Sequence, residues 1–163
     1  MMPNWCKGEL KVRGTKDNLK KFILEGLNPT GWSVLNKIPD SNVDEDEDGF
    51  TRKIICENDG FGAFHLAGTR RQFIESKEIE IYWREDQEIQ VLVLSDFEAA
   101  WDIDTEGLQQ LSKKFEVDFK IYAFECGMEF NRDIEIVDGE ITKDDEIKFN
   151  DYEWECICPS VGG

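Results

Sequence analysis

The chain has 163 residues, 40% of them hydrophobic and including 11 Phe and 5 Trp, enough to bury the core of one domain, and nothing marks a second. No apolar run approaches the roughly 18 residues a membrane helix needs, and the opening Met1-Met2-Pro3-Asn4-Trp5-Cys6 lacks the basic and apolar stretches of a secretory signal. Nineteen Lys+Arg against 36 Asp+Glu give a net charge of −17; such a field repels nucleic acid and attracts basic surfaces.

Lys7 to Arg13 alternates, with Gly8, Leu10 and Val12 on one side and Lys7, Glu9, Lys11 and Arg13 on the other, which predicts a half-buried strand ended by Gly14. Thr15 is placed to cap a helix whose apolar face is Leu19, Phe22, Ile23 and Leu27, and Gly26 and Pro29 stop it. Residues 28–50 are turn-rich and end in an acidic run, and they read as a surface excursion. Arg52–Cys56 and Phe61–Ala67 read as short strands around the turn Asn58-Asp59-Gly60. Glu78–Trp83 alternates, and Ile89–Leu94 is a more continuous apolar strand expected at the sheet centre.

Between Ala99 and Phe115 the spacing is helical, with Leu108, Leu111 and Phe115 as the buried side. Val117–Phe124, Met128–Val137, Glu140-Ile141 and Ile147–Ile157 follow as strands, with Asp138-Gly139 as a turn. The order β-α-β-β(-β)-α-β matches a split βαβ, an α+β ferredoxin-like sheet with two helices on one face. A single domain over 1–163 is expected, with its core at about 5–125 and an acidic β extension at about 126–158.

Met2-Pro3-Asn4-Trp5-Cys6, Gly68-Thr69-Arg70-Arg71 with Phe73-Ile74, Ala99-Ala100-Trp101, Tyr122-Ala123-Phe124-Glu125 and Trp154-Glu155-Cys156, taken in order, resemble a family of ferredoxin-like proteins carried by phages, prophages and plasmids of low-GC Gram-positive hosts. The resemblance runs over nearly the whole chain, to Gly162-Gly163. It implies no enzymatic activity and hands over no catalytic residues. It suggests a mobile-element origin, and small acidic proteins from that source are similar in character to anti-CRISPR inhibitors, an analogy of class.

Five candidate constellations remain. Asp44-Glu45-Asp46-Glu47-Asp48-Gly49 opens like a calcium loop, but the twelfth position is Ile55 and no helices flank it, so a solvated acidic loop is expected. Cys156 and Cys158, two apart, share a face if they lie in a strand, and with Cys126 or His65 they make up a zinc-type ligand set. His65 is the single histidine, flanked by Phe64 and Leu66, which leaves one base for nucleophilic catalysis. No catalytic motif accompanies it, so no enzymatic activity is expected. The pairs Arg70-Arg71, Lys20-Lys21 and Lys113-Lys114 read as surface and salt-bridge residues.

The acidic residues are unevenly spread. Residues 1–81 hold 12 basic and 14 acidic side chains, residues 82–163 hold 7 and 22, and 125–155 alone holds 3 and 12. Glu78/Glu80, Asp133/Glu135 and Glu153/Glu155 alternate with other residues, so in strands each pair shares one face at about 6.6 Å spacing. The expected partner surface is Glu129, Asp133, Glu135, Asp138, Glu140, Asp144, Asp145 and Glu146, with Asp44, Asp46 and Asp48 as a second patch.

The resemblance, joined to the acidic surface, implies a phage- or prophage-encoded inhibitor acting in the host bacterial cytoplasm, the compartment that scattered odd cysteines also favour. Its expected partner is a basic nucleic-acid-binding protein, in the first instance the RNA-guided nuclease of a type II CRISPR system, which holds its heteroduplex in a positive channel. The alternatives are a mobile-element accessory module with another basic partner, or a small zinc-binding protein.

Overall fold

The computed structural model describes residues 2–31, 38–56 and 60–163. Its largest element is an eight-stranded sheet in the order β11-β10-β9-β1-β8-β6-β5-β2. The strands are β1 (Trp5–Thr15), β2 (Leu27–Gly31), β5 (Gly62–Leu66), β6 (Gln72–Ile74), β8 (Ile89–Ala100), β9 (Asp118–Glu125), β10 (Phe130–Val137) and β11 (Glu140–Lys148). A second, three-stranded sheet has the order β3-β4-β7, from β3 (Ser41–Glu45), β4 (Gly49–Ile54) and β7 (Glu78–Tyr82). All pairings are antiparallel.

This overturns the two-helix ferredoxin-like α+β reading. Strands take 50% of the described residues and helices 17%. The helices are short: α1 (Lys16–Lys21), which runs into a π-type turn at Phe22–Gly26, α2 (Thr105–Phe115) and α3 (Tyr152–Glu155). The sheet is carried far beyond a four-stranded core, by β10 and β11 on one side and by β5 and β2 on the other.

Other expectations also change. The excursion at 28–50 contains β2, β3 and the start of β4; Pro29 sits in β2, an edge strand, where a residue without an N–H is tolerated. β4 and β5 do not pair with each other but enter different sheets, and the turn residues Asn58 and Asp59 lie outside the described residues. Ala99 and Ala100 finish β8 rather than begin a helix. Ile147–Ile157 is not a strand. β11 ends at Lys148, and Asp151 caps α3 by accepting from the Trp154 N–H (3.2 Å).

The alternation of β1 is realised as expected, with Leu10 and Val12 buried and Lys11 and Arg13 exposed. Thr15 Oγ1 accepts from Asn18 N (3.2 Å) at the start of α1. Asp104 caps α2, and Glu116 closes it in the left-handed region (φ 53°). Both helices lie on one face of the large sheet, where Leu19, Phe22, Leu108, Leu111 and Phe115 meet Leu10, Val12, Leu92, Phe119, Ile121 and Ile134 in one buried cluster. Phe22 is its hinge, edge-on to Phe115 (6.0 Å) and Phe119 (5.5 Å).

The small sheet closes the same core with Phe50, Ile54, Ile79 and Ile81. Its anchor is polar. Arg52, 7% exposed, reaches inward from β4 and its Nη1 donates to the carbonyls of Ile23 (2.5 Å), Leu27 (2.7 Å) and Leu24 (3.3 Å), while Nε donates to Ser41 Oγ (3.0 Å). These carbonyls belong to the π-type turn and the start of β2, and a buried carbonyl left unpaired is costly. Burial pulls the Arg52 pKa down from its ordinary value, yet a guanidinium stays charged. Arg52→Ala is expected to lower stability by about 3 kcal/mol, with Arg52→Lys recovering only part, read as a fall in the urea midpoint at constant slope.

Candidate functional site

The C-terminal acidic residues do not make one face. In β10 the side chains of Asp133 and Glu135 stand on the face of the sheet away from the helices, opposite Asp145 and Lys143 of β11. Asp144 and Glu146, opposite Ile134 and Arg132, point to the helix side. Glu129 and Asp138 lie in the turns at the two ends of β10, about 26 Å of strand apart, and Glu140 begins β11.

Half of these carboxylates have cationic partners. Asp133 holds Lys143 Nζ (2.6 Å), Glu135 holds Lys120 Nζ (3.4 Å), Glu146 holds Lys148 Nζ (3.3 Å), and Asp144 pairs with Arg132, which also holds Asp102 (3.0 Å). The Lys143 ammonium is pushed up in pKa, mainly by its hydrogen bond to Asp133. The ladder is therefore an edge braced by ion pairs on both sides of the sheet.

The second expected patch is the one that gains neighbours. β3 and β4 form a hairpin closed by Asp46, whose Oδ1 accepts from Asp48 N and Gly49 N (both 2.8 Å), an Asx turn. The calcium-loop spacing of this run is thus a hairpin tip. β4 lies between β3 and β7, and the register sets Thr51 between Asp44 and Glu80, and Lys53 between Asn42 and Glu78. Gly49 stands beside Tyr82 and is bonded to Asp46 N through its carbonyl (3.2 Å). A Cβ on Gly49 would lie 2.9 Å from the Ile81 carbonyl, so the close approach needs glycine there.

Because Phe50, Arg52, Ile54, Ile79 and Ile81 turn inward, Asp44, Thr51, Lys53, Glu78, Glu80 and Tyr82 turn outward. Asp44 and Glu80 sit two strand spacings apart, about 10 Å, and Glu78 and Glu80 about 6.6 Å apart along β7. Trp83 N donates to Asp48 O (2.8 Å), which ties the hairpin tip to the end of β7 and brings exposed Glu47 and Asp48 toward the turn holding exposed Glu85, Asp86 and Glu88. Residues 41–54 and 78–88 together carry ten carboxylates against three basic side chains, one of which is the inward-facing Arg52. Lys53 pairs loosely with Glu78 (3.8 Å), and Lys20 with Glu45 at the margin.

Tyr82, 71% exposed, stands in this face and donates from Oη to Glu80 Oε1 (2.5 Å). Glu78 and Glu80 were visible in the sequence as an alternating pair. What joins them to Asp44 and Asp46 is the intervening strand β4, whose signal was the Asp46–Gly49 turn preceding the alternation Phe50, Arg52, Ile54.

The zinc-type set is dispersed. His65 lies in β5, its Nε2 3.0 Å from Thr69 O and its ring 5.2 Å from Phe73. Cys156 is buried against Asn131 of β10, whose Nδ2 is 3.5 Å away; four strands stand between β5 and β10. Cys158 is exposed and Cys126 half-buried, and with α3 in place of a strand the C-x-C spacing no longer aligns the first pair. Among the described residues no group of three or more His, Cys, Asp or Glu side chains is arranged to hold a metal ion. No described helix is long and apolar enough to cross a membrane. Arg70 and Arg71 occupy the β5–β6 turn, with Arg71 over the Trp5 ring (5.7 Å), and the lysine pairs end α1 and α2.

No family model, no curated protein and no solved structure matches the chain.

Two measurements check this geometry. Ionising Tyr82 places a phenolate against Glu80, with Glu78 and Asp46 nearby, so its pKa is raised above the ordinary tyrosine value. Glu80→Gln should bring it back down, seen as phenolate absorbance growing in at lower pH than in the parent. Burial, then Asp102 and Glu125, pushes the Cys6 thiol up to about 12, so a thiol reagent on the folded chain should label Cys158 first and Cys6 only after unfolding.

Proposed function

We propose that the chain is a non-enzymatic binding module that docks the outward face of the small sheet on a basic, nucleic-acid-binding protein. Its specific form is a phage- or prophage-encoded inhibitor of a type II CRISPR RNA-guided nuclease. The observation that carries the reading is the convergence of Asp44, Asp46, Glu78 and Glu80, with Glu47, Asp48, Glu85 and Asp86 at one end, around an exposed tyrosine on a rigidly backed sheet. A tyrosine among carboxylates that outnumber their cations suits guanidinium groups, which stack on the ring and bond carboxylates in pairs. A field of this sign also speeds encounter with a positive channel. Such a channel is what a guide–target heteroduplex occupies, and filling it hinders target loading.

The test compares two variants with the same change of net charge. One reverses Asp44, Glu78, Glu80 and Asp86 to Lys; the other reverses Glu129, Glu140, Asp145 and Glu153. Target cleavage by purified type II nucleases is measured with the chain added before or after guide and target. The small-sheet variant should lose about tenfold or more of its inhibitory potency and show a weaker salt dependence, while the C-terminal variant keeps most of both. Equal losses in the two variants, or a larger loss in the second, would refute the reading, provided circular dichroism shows both folded.

A further inference from the structure

β7 and β8 are consecutive and joined only by residues 83–88, yet they do not pair: β7 pairs with β4, and β8 pairs with β1. On its other side β8 meets β6 only at Phe97–Ala99, and the last contact is Glu75 N to Asp96 O (2.8 Å). Along Ile89–Ser95, β1 is therefore the one strand beside β8 among the described residues. Every second residue of an antiparallel strand directs its N–H and C=O away from a given neighbour, so this stretch offers a row of main-chain donors and acceptors. Ile89, Val91 and Val93 are each about half exposed beside it (47%, 49% and 48%). The Gln90 side chain does not fill the row, being spent on Arg84 N, Arg84 O and Gln87 O.

The other edges are guarded in the usual ways. β11 carries Lys143, Asp144, Asp145, Glu146 and Lys148, β2 carries Pro29, and β7 carries Glu78 and Glu80. Residues 89–95 carry no charge at all, but Glu85, Asp86 and Glu88 precede them and Asp96 follows.

We infer that the open side of β8 at Ile89–Ser95 is a strand-addition site for an extended peptide segment of aliphatic or β-branched residues with Lys or Arg at both ends. Main-chain pairing supplies the binding, Val91 and Val93 supply the apolar contact, and the flanking acids select the charge. A second copy of this chain is disfavoured as occupant, because antiparallel pairing about Leu92 sets Glu88 against Asp96 of the copy at both ends. The site shares Glu85, Asp86 and Glu88 with the acidic margin of the small sheet, but its main-chain row and its apolar contacts lie at 89–95, so the two readings are tested separately.

The test is an NMR titration of the full-length ¹⁵N-labelled chain with a short peptide of alternating Thr and Val carrying a lysine pair at each end. Two matched peptides serve as controls, one N-methylated through its centre and one with glutamates in place of the lysines. The expected result is protection of amides within 89–95 and an affinity about tenfold lower for each control. The inference is overturned if the N-methylated peptide binds equally well, if the shifts fall only in 41–54 and 78–88, or if the 89–95 amides become protected simply as the chain is concentrated.

Discussion

A single buried cation decides which way the small sheet faces. Arg52 must point inward, because the carbonyls of Ile23, Leu24 and Leu27 have it as their donor. Side chains alternate along a strand, so Thr51 and Lys53 must then point outward, and through the register Asp44, Glu78 and Glu80 must do the same. A slip of one residue in β4 would bury Lys53 and expose Ile54. Turning Arg52 outward would take a donor from all three carbonyls and from Ser41 Oγ, so the clamp adds to apolar packing in resisting such a slip. The guanidinium also lies over the Phe64 ring (5.3 Å), which couples the small sheet to β5 of the large one.

Where the carboxylates gather follows from that constraint rather than from their density along the chain. The acid-richest stretch, 125–155, forms β10, β11 and the turns around them, and period-two alternation sends its charges to both faces. There they meet Lys120, Arg132, Lys143 and Lys148. Repulsion between Asp133 and Asp145, directly opposite each other, is relieved by Lys143 beside them. The small sheet is about as dense in carboxylates as that stretch but collects them from two separate segments, 41–54 and 78–88, with one exposed lysine, Lys53, on its outer face.

The local features were legible because single residues carry them. Thr15 as a cap, Leu108, Leu111 and Phe115 as the buried side of α2, and the alternation of Lys7–Arg13 all read directly from spacing. Strand neighbours did not, since alternation marks a strand without saying what lies beside it. The expected core of four or five strands with an acidic β extension after it became one eight-stranded sheet, with β2 and β5 at one edge and β10 and β11 at the other. Pro29 disguised β2 as a turn, and the acidic run after Val43 disguised a hairpin as a surface loop. At Ile147–Ile157 the alternation misled, because Asp151 caps a helix that the apolar pattern does not announce. The candidate site was half visible, in Asp44–Asp48 and in Glu78/Glu80 separately; their union depended on β4.

The claim that the small sheet's outer face meets the partner is tested most directly by hydrogen–deuterium exchange of the chain, alone and with a purified type II CRISPR nuclease. The account predicts slowed exchange in peptides covering 41–54 and 78–88 on complex formation, with the turns at 126–129 and 138–139 unchanged. A complex whose protection falls on 129–146 and leaves the small sheet untouched, or no protection anywhere with the nuclease in excess, would contradict it.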